Sequence, residues 1–135
     1  MSENAKLQVH ASGEDYLEAI LMISERSFGT VRSVDVAKEL GVTKPSVSNA
    51  MKILKNGGYI TVEENGLIKL TEAGSEIAER TYEKHKVLTQ WLEYLGVSPE
   101  TAAEDACRIE HVISKESFEK LKTHLSEAHG LTIRE

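Results

Sequence analysis

Residues 31–71, "VRSVDVAKELGVTKPSVSNAMKILKNGGYITVEENGLIKLT", carry two short helical patterns followed by two alternating runs. Val34, Ala37 and Leu40 form one apolar stripe, Gly41 interrupts it, and Val47, Met51 and Leu54 form a second. Residues three and four apart share a helix face, so this spacing predicts two helices joined by a tight turn at Gly41. Pro45 belongs in the first turn of the second helix, where its missing N–H is no loss, and the "NGG" of Asn56 to Gly58 ends that helix. "YITVEENGLIKLT" then alternates as a strand, turns, and alternates again. Asn65-Gly66 at its centre predicts a tight hairpin with positive φ at both residues. Helix, turn, helix and hairpin is the order of a winged helix-turn-helix.

Working outward, "SGED" has the form of a capping box and predicts a first helix starting near Ser12, with Leu17, Ile20, Leu21 and Ser24 at helical spacing and Tyr16 and Ile23 widening the apolar face. "SFGT" breaks it. On the other side, Ile77, Thr81, His85, Leu88, Leu92 and Leu95 lie near one stripe of a long helix from Thr71 to about Leu95. Ser98 and Pro99 start the next helix, with Ala102, Ala106, Ile109 and Ile113 as its apolar face, and Ser114 caps a last helix, "KESFEKLKTHL". The tail "SEAHGLTIRE" shows no clear period. The expected fold is mainly α with a small β-hairpin wing: a winged helix-turn-helix domain over 1–71 and a helical domain over 72–135.

A chain of 135 residues can bury a hydrophobic interior as one domain or two small ones. No apolar run approaches the roughly 20 residues that span a bilayer, and the polar start is unlike a signal peptide, so a cytoplasmic protein with no membrane partner is expected. One cysteine excludes an internal disulfide and leaves Cys107 as a buried thiol, a reactive thiol or a ligand. The net charge of -6 argues at first against a nucleic-acid partner. Its distribution reverses that reading: residues 30–60 hold five bases against two acids, a local +3, whereas 13 acids face 8 bases from Glu72 onward.

The second helix of a helix-turn-helix lies in the major groove and presents its first residues to base edges and phosphates. Here that stretch is "TKPSVSNAMK". Thr43, Ser46, Ser48 and Asn49 are short hydrogen-bonding groups, Lys44 and Lys52 can neutralise phosphates, and Pro45 offers an apolar surface to a thymine methyl. Arg32 belongs to the same basic segment. A plainer reading leaves Thr43 as a helix cap on a solvated face; the hairpin and the local charge favour DNA contact.

"EDACRIEHV", Glu104 to Val112, sets Cys107, Glu110 and His111 at i, i+3 and i+4, so a thiolate, a carboxylate and an imidazole converge beside the apolar face. Such a trio can grip a divalent transition metal, but four to six ligands are usual. Asp15 and Glu18, at i and i+3 on the first helix, and His85 on the long helix are candidate partners. Each has a bland alternative: a capping acid, a solvated charge, a core histidine bonded to a carbonyl.

At these residues the chain resembles the diphtheria-toxin-repressor group, the iron- and manganese-dependent DtxR/MntR repressors. The resemblance runs through "EDYLEAILMI", the helix-turn-helix and wing, "GLIKLTEAG", "KHKVLTQWL" and "EDACRIEHVIS", about residues 12–125. It implies a homodimer of the short two-domain form, without the SH3-like third domain of longer members. Its C-terminal helical domain would bind metal and dimerise, and the loaded protein would bind palindromic operator DNA with Fe(II) or Mn(II) as cofactor. Cys107, Glu110 and His111 match the iron-type string, Asp15 and Glu18 match manganese-type ligands, and His85 matches a ligand in both. The iron type's remaining ancillary ligands fall on Thr89 and Ala103, so the chain is a hybrid.

Two other readings compete. A winged-helix regulator without metal would answer an organic ligand or Cys107 oxidation. An enzyme using Cys107 and His111 lacks oxyanion-hole glycines and a third orienting group nearby, so no enzymatic activity is expected.

Overall fold

The computed structural model describes residues 2–129, with side chains described over 13–127. Helix α1 (Ser2–Ser27) is followed by α2 (Ser33–Leu40), α3 (Lys44–Asn56), strands β1 (Ile60–Val62) and β2 (Ile68–Leu70), then α4 (Glu72–Tyr94), α5 (Pro99–Ile109) and α6 (Lys115–His129). The mainly helical class and the hairpin both match the expectation. By internal contacts the chain divides into two units, Met1–Arg80 and Thr81–Glu135.

In the first unit, the α2–α3 turn forms because Gly41 adopts φ 65°, a left-handed conformation that glycine tolerates without a Cβ clash, and its N–H closes on a helix carbonyl. Thr43 caps α3, Pro45 sits in its first turn, and Val47, Met51 and Leu54 face inward as their spacing predicts. These side chains meet Leu17, Ile20 and Ile23 of α1, Val36 of α2, Ile60 and Ile68 of the hairpin, and Ala78 of α4. The α2 face is rotated from the expected stripe: Val36 is fully buried, whereas Val34 is 43% exposed. Eight residues give two turns, too few for periodicity to fix the buried face.

Helix α1 begins at Ser2, not near Ser12. Glu3, Ala5, Lys6, Leu7 and Gln8 are strong helix formers that carry the helix through Gly13, and the Ser12 side chain lies outside the described residues. The hairpin turn also differs. β1 and β2 pair antiparallel with Val62 opposite Ile68, leaving residues 63–67 as the loop. Among the described residues only Phe28 and glycines have positive φ, so Asn65 does not. The Gly66 N–H donates to the Glu63 carbonyl at 2.9 Å, with Gly66 at φ 87°, and the Asn65 side chain accepts from the Leu67 N–H at 3.1 Å. A four-residue turn ending in a left-handed glycine thus replaces the two-residue form.

Thr71 anchors the start of α4. Its hydroxyl donates to the Gly58 carbonyl at 2.7 Å and accepts from the Gly74 N–H at 3.2 Å, while its own N–H donates to the Tyr59 carbonyl at 3.0 Å. The helix can lie on that backbone only because residue 74 has no side chain: a Cβ there would stand 2.0 Å from the Tyr59 carbonyl oxygen.

In the second unit, Val87 and Trp91 of α4 pack with Ile113 and with Phe118, Leu121 and Leu125 of α6. Ser98 and Ser114 cap α5 and α6 as expected. Helix α5 stops at Ile109, a turn earlier than its apolar pattern suggests, and Leu95 is 63% exposed instead of continuing the α4 stripe. Gly96 at φ 98° ends α4 just beyond it.

Replacing Gly74 with Ala should destabilise the first unit by about 3 kcal/mol or more, the upper range for overpacking against rigid backbone, read as a lowered urea midpoint. A second outcome concerns Tyr16, whose phenol is raised above its usual value near 10 by burial first and by the Asp15 carboxylate second. A folded-state value above the unfolded one means that this group's stabilising effect is complete below about pH 10 and is lost as pH rises through the raised value. Urea midpoints should therefore fall less between about pH 8 and about pH 11 in Tyr16→Phe than in the parent protein.

Candidate metal centre and nucleic-acid interface

The second unit assembles four of the expected donors. α4 carries His85, and α5 with the turn after it carries Cys107, Glu110 and His111. Although α5 ends at Ile109, Glu110 keeps helical angles (φ -59°, ψ -25°) and its N–H bonds the Ala106 carbonyl at 2.9 Å. Cys107, Glu110 and His111 therefore keep the i, i+3, i+4 convergence that their spacing predicts.

Glu110 is 1% exposed. One carboxylate oxygen lies 3.3 Å from His85 Nδ1 and the other 3.6 Å from His111 Nε2. Donor atoms of Cys107, Glu110 and His111 lie within 4.8 Å of one another, and so do those of His85 and Glu110. Ligand atoms about 2.0–2.3 Å from one ion stand roughly 3–4 Å apart, so both the donor chemistry and the spacing fit a transition metal. Thr89, where an iron-type ligand would stand, turns its hydroxyl to the His85 carbonyl at 2.7 Å instead. In the first unit, Glu18 is buried and Asp15 half-buried on α1, three residues apart and so on one side of the helix.

Helix α3 presents a polar face. Thr43, Lys44, Pro45, Ser46, Ser48, Asn49 and Lys52 are all exposed, opposite the buried Val47, Met51 and Leu54. Thr43 also plays the plainer role: its hydroxyl accepts from the Ser46 N–H at 3.3 Å and lies 3.0 Å from the Ser46 hydroxyl. Arg32 is exposed, but its guanidinium donates to the Asn65 carbonyl at the hairpin tip. That contact joins residues 33 positions apart, and no local pattern could have signalled it.

Comparison with known proteins bears on both features. Residues 8–68 match the iron dependent repressor N-terminal DNA binding domain, and residues 71–129 match the iron dependent repressor metal binding and dimerisation domain. An uncharacterised HTH-type transcriptional regulator of Methanocaldococcus jannaschii is 38% identical over 110 residues, covering 81% of this chain and 88% of the relative. The transcriptional regulator MntR of Escherichia coli is 35% identical over 117 residues, covering 87% of this chain and 74% of the relative. The chain belongs to the DtxR/MntR family of metal-dependent repressors. Members of this family are DNA-binding transcriptional regulators and not enzymes.

Solved structures of the family agree. The manganese regulator SloR superposes with a TM-score of 0.77 at 28% identity, and the metal-dependent regulator MtsR with 0.78 at 27%. This chain covers 59% of the first and 58% of the second. Among the described residues, no helix of this family member is long and apolar enough to cross a membrane.

Proposed function

We propose that this DtxR/MntR-family chain is a cytoplasmic repressor that binds palindromic operator DNA as a homodimer when loaded with Fe(II) or Mn(II), and so controls metal homeostasis. The observation that carries the reading is the buried Glu110 carboxylate set between His85 and His111, with the Cys107 thiol in reach. Three or four donors from one unit fall short of the usual coordination number of Fe(II) or Mn(II). In this reading Asp15 and Glu18 supply the rest.

The donor set is mixed. Cys107 is a soft ligand that favours Fe(II), Co(II) or Zn(II), whereas Asp15 and Glu18 are hard ligands that accept Mn(II). A bound divalent cation would supply the positive charge that balances these anionic side chains. Drawing ligands from both ends of the chain couples α1, which precedes the reading helix, to residues that follow it. That coupling fixes the two α3 helices of a homodimer near one duplex turn apart, about 34 Å, so that both enter successive major grooves. Thr43, Ser46, Ser48 and Asn49 then meet base edges or phosphate oxygens, while Lys44 and Lys52 neutralise phosphates.

Anaerobic titration with Fe(II), Mn(II), Co(II) and Zn(II), each read by affinity for a labelled candidate operator, tests the reading. Fe(II) or Mn(II) should raise affinity roughly 5–150-fold, the usual range of allosteric coupling, and DNA should tighten metal binding by the same factor. Acidification should weaken metal binding, since a cysteine ligand must lose its proton and a histidine must be neutral. Equal operator affinity with and without metal sinks the proposal. Separately, Lys52→Glu should weaken binding to all DNA sequences and flatten its salt dependence by roughly one unit of slope per lost phosphate contact. Unchanged affinity and slope would remove Lys52 from the interface.

A further inference from the structure

Arg32 entered the argument as a basic residue of the reading segment, yet its surroundings describe a different task. It stands immediately before α2, with extended backbone angles (φ -126°, ψ 161°). Its N–H donates to the Asp35 carboxylate at 3.0 Å, and its carbonyl accepts from the Asp35 N–H at 3.0 Å. The first turn of α2 thereby fixes the direction in which the side chain leaves. The guanidinium reaches the hairpin tip and donates to the Asn65 carbonyl. Gly66 accommodates it closely: a Cβ at that position would stand 3.1 Å from Arg32 Nη1.

The hairpin depends on such help. Its strands are three residues each and it contains only two of them, a size that is marginal in isolation. Ile60, at the base of β1, and Ile68, the first residue of β2 after the loop, are buried, and the Ile68 N–H donates to the Val31 carbonyl at 2.8 Å. Opposite Ile68, Val62 is 36% exposed, and the Lys69–Glu63 ion pair at 3.1 Å is solvated on both sides. Exposed pairs of that kind add little. Within the loop, the Asn65 side chain is turned inward to the Leu67 N–H, which leaves the Asn65 carbonyl to take the guanidinium. Val31 and Arg32, adjacent in sequence, thus hold the wing at the start of β2 and at its tip.

We infer that Arg32 is a positioning residue that locks the wing to the start of α2, and that it supports DNA binding through the wing's placement and not by neutralising a phosphate. The functional half of this inference rests on the proposed operator binding; the structural half does not. Glu63 and Glu64 place two acids at the tip, so a wing left loose would carry negative charge over a wider volume near any bound duplex.

The experiment compares the parent protein with Arg32→Met, which removes donor and charge at similar length, and with Arg32→Lys, which keeps a charged donor. Backbone amide exchange is followed at Glu63, Gly66 and Ile68 without DNA, and operator affinity is measured as a function of salt. In Arg32→Met, exchange at Glu63 and Gly66 should quicken about tenfold or more, as expected for loss of a charge-assisted hydrogen bond, while Ile68 and the helical amides stay slow. Operator affinity should fall with the salt slope unchanged, and Arg32→Lys should restore part of both. If exchange is unaltered and the slope drops by about 0.9, Arg32 is a phosphate contact and the inference is wrong. If neither changes, it is wrong as well. A parent protein that binds no DNA would refute the proposed function, and the exchange data would still decide whether the lock exists.

Discussion

Glu110 is the one buried carboxylate of the second unit among the described residues, and the site around it depends on how that charge is met. A carboxylate with 1% exposure has lost its water, a loss of several kcal/mol for an ionised group unless partners replace it. It also stands at the C-terminal end of α5, where the helix's own carbonyls contribute partial negative charge. Both effects disfavour an anion there, and both are offset by positive charge. His85 and His111 approach the carboxylate, one from each side, and Cys107 stands one helical turn before it. Ala102 and Ala106, fully buried on α5, keep that helix's packing face small. The arrangement gathers a carboxylate, imidazoles and a thiol of the kinds that hold a divalent cation.

Local sequence was sufficient for the DNA-reading head because its determinants are themselves local. Gly41 is needed for a left-handed residue, Thr43 for a cap and Pro45 for a first turn, and each acts within a few positions of itself. Where the expectation failed, the deciding contact lay elsewhere. Asn-Gly favours a two-residue turn, but here Asn65 lends its side chain to Leu67 and its carbonyl to Arg32, and only Gly66 takes positive φ. Val34 and Val36 compete for the inner face of a two-turn helix, and packing against α1 and α3, invisible to periodicity, settles it for Val36.

The candidate metal centre was half legible. The spacing of Cys107, Glu110 and His111 announces convergence on any helical turn, and the structure keeps it even though α5 ends before Glu110. His85 could not be joined to them by spacing, since 22 or more positions separate it from the trio; only the fold brings its Nδ1 to Glu110. Arg32 shows the opposite limit. Its charge placed it in the basic segment, and composition alone could not reveal that the hairpin tip takes its guanidinium.

The proposed pairing of Cys107 with Asp15 and Glu18 would make sense if coordination number, more than ligand softness, set the metal. Thiolate and imidazole donors bind Zn(II) well, and raw affinity along the first row ranks Mn(II) and Fe(II) lowest. A site of four donors holding Cys107, Glu110 and His111 would therefore favour zinc, which accepts tetrahedral geometry readily. Adding hard carboxylates from α1, as proposed, would enlarge the set towards the higher coordination that Mn(II) and Fe(II) adopt and that zinc gains little from. In the proposed site the same addition would tie metal choice to regulation, because the two carboxylates belong to the first unit. An ion satisfied by the second unit's donors alone would bind without engaging α1, and so would occupy the protein without switching it. If one ligand set is divided between the two halves of the chain, as proposed, discrimination by response in place of affinity would follow.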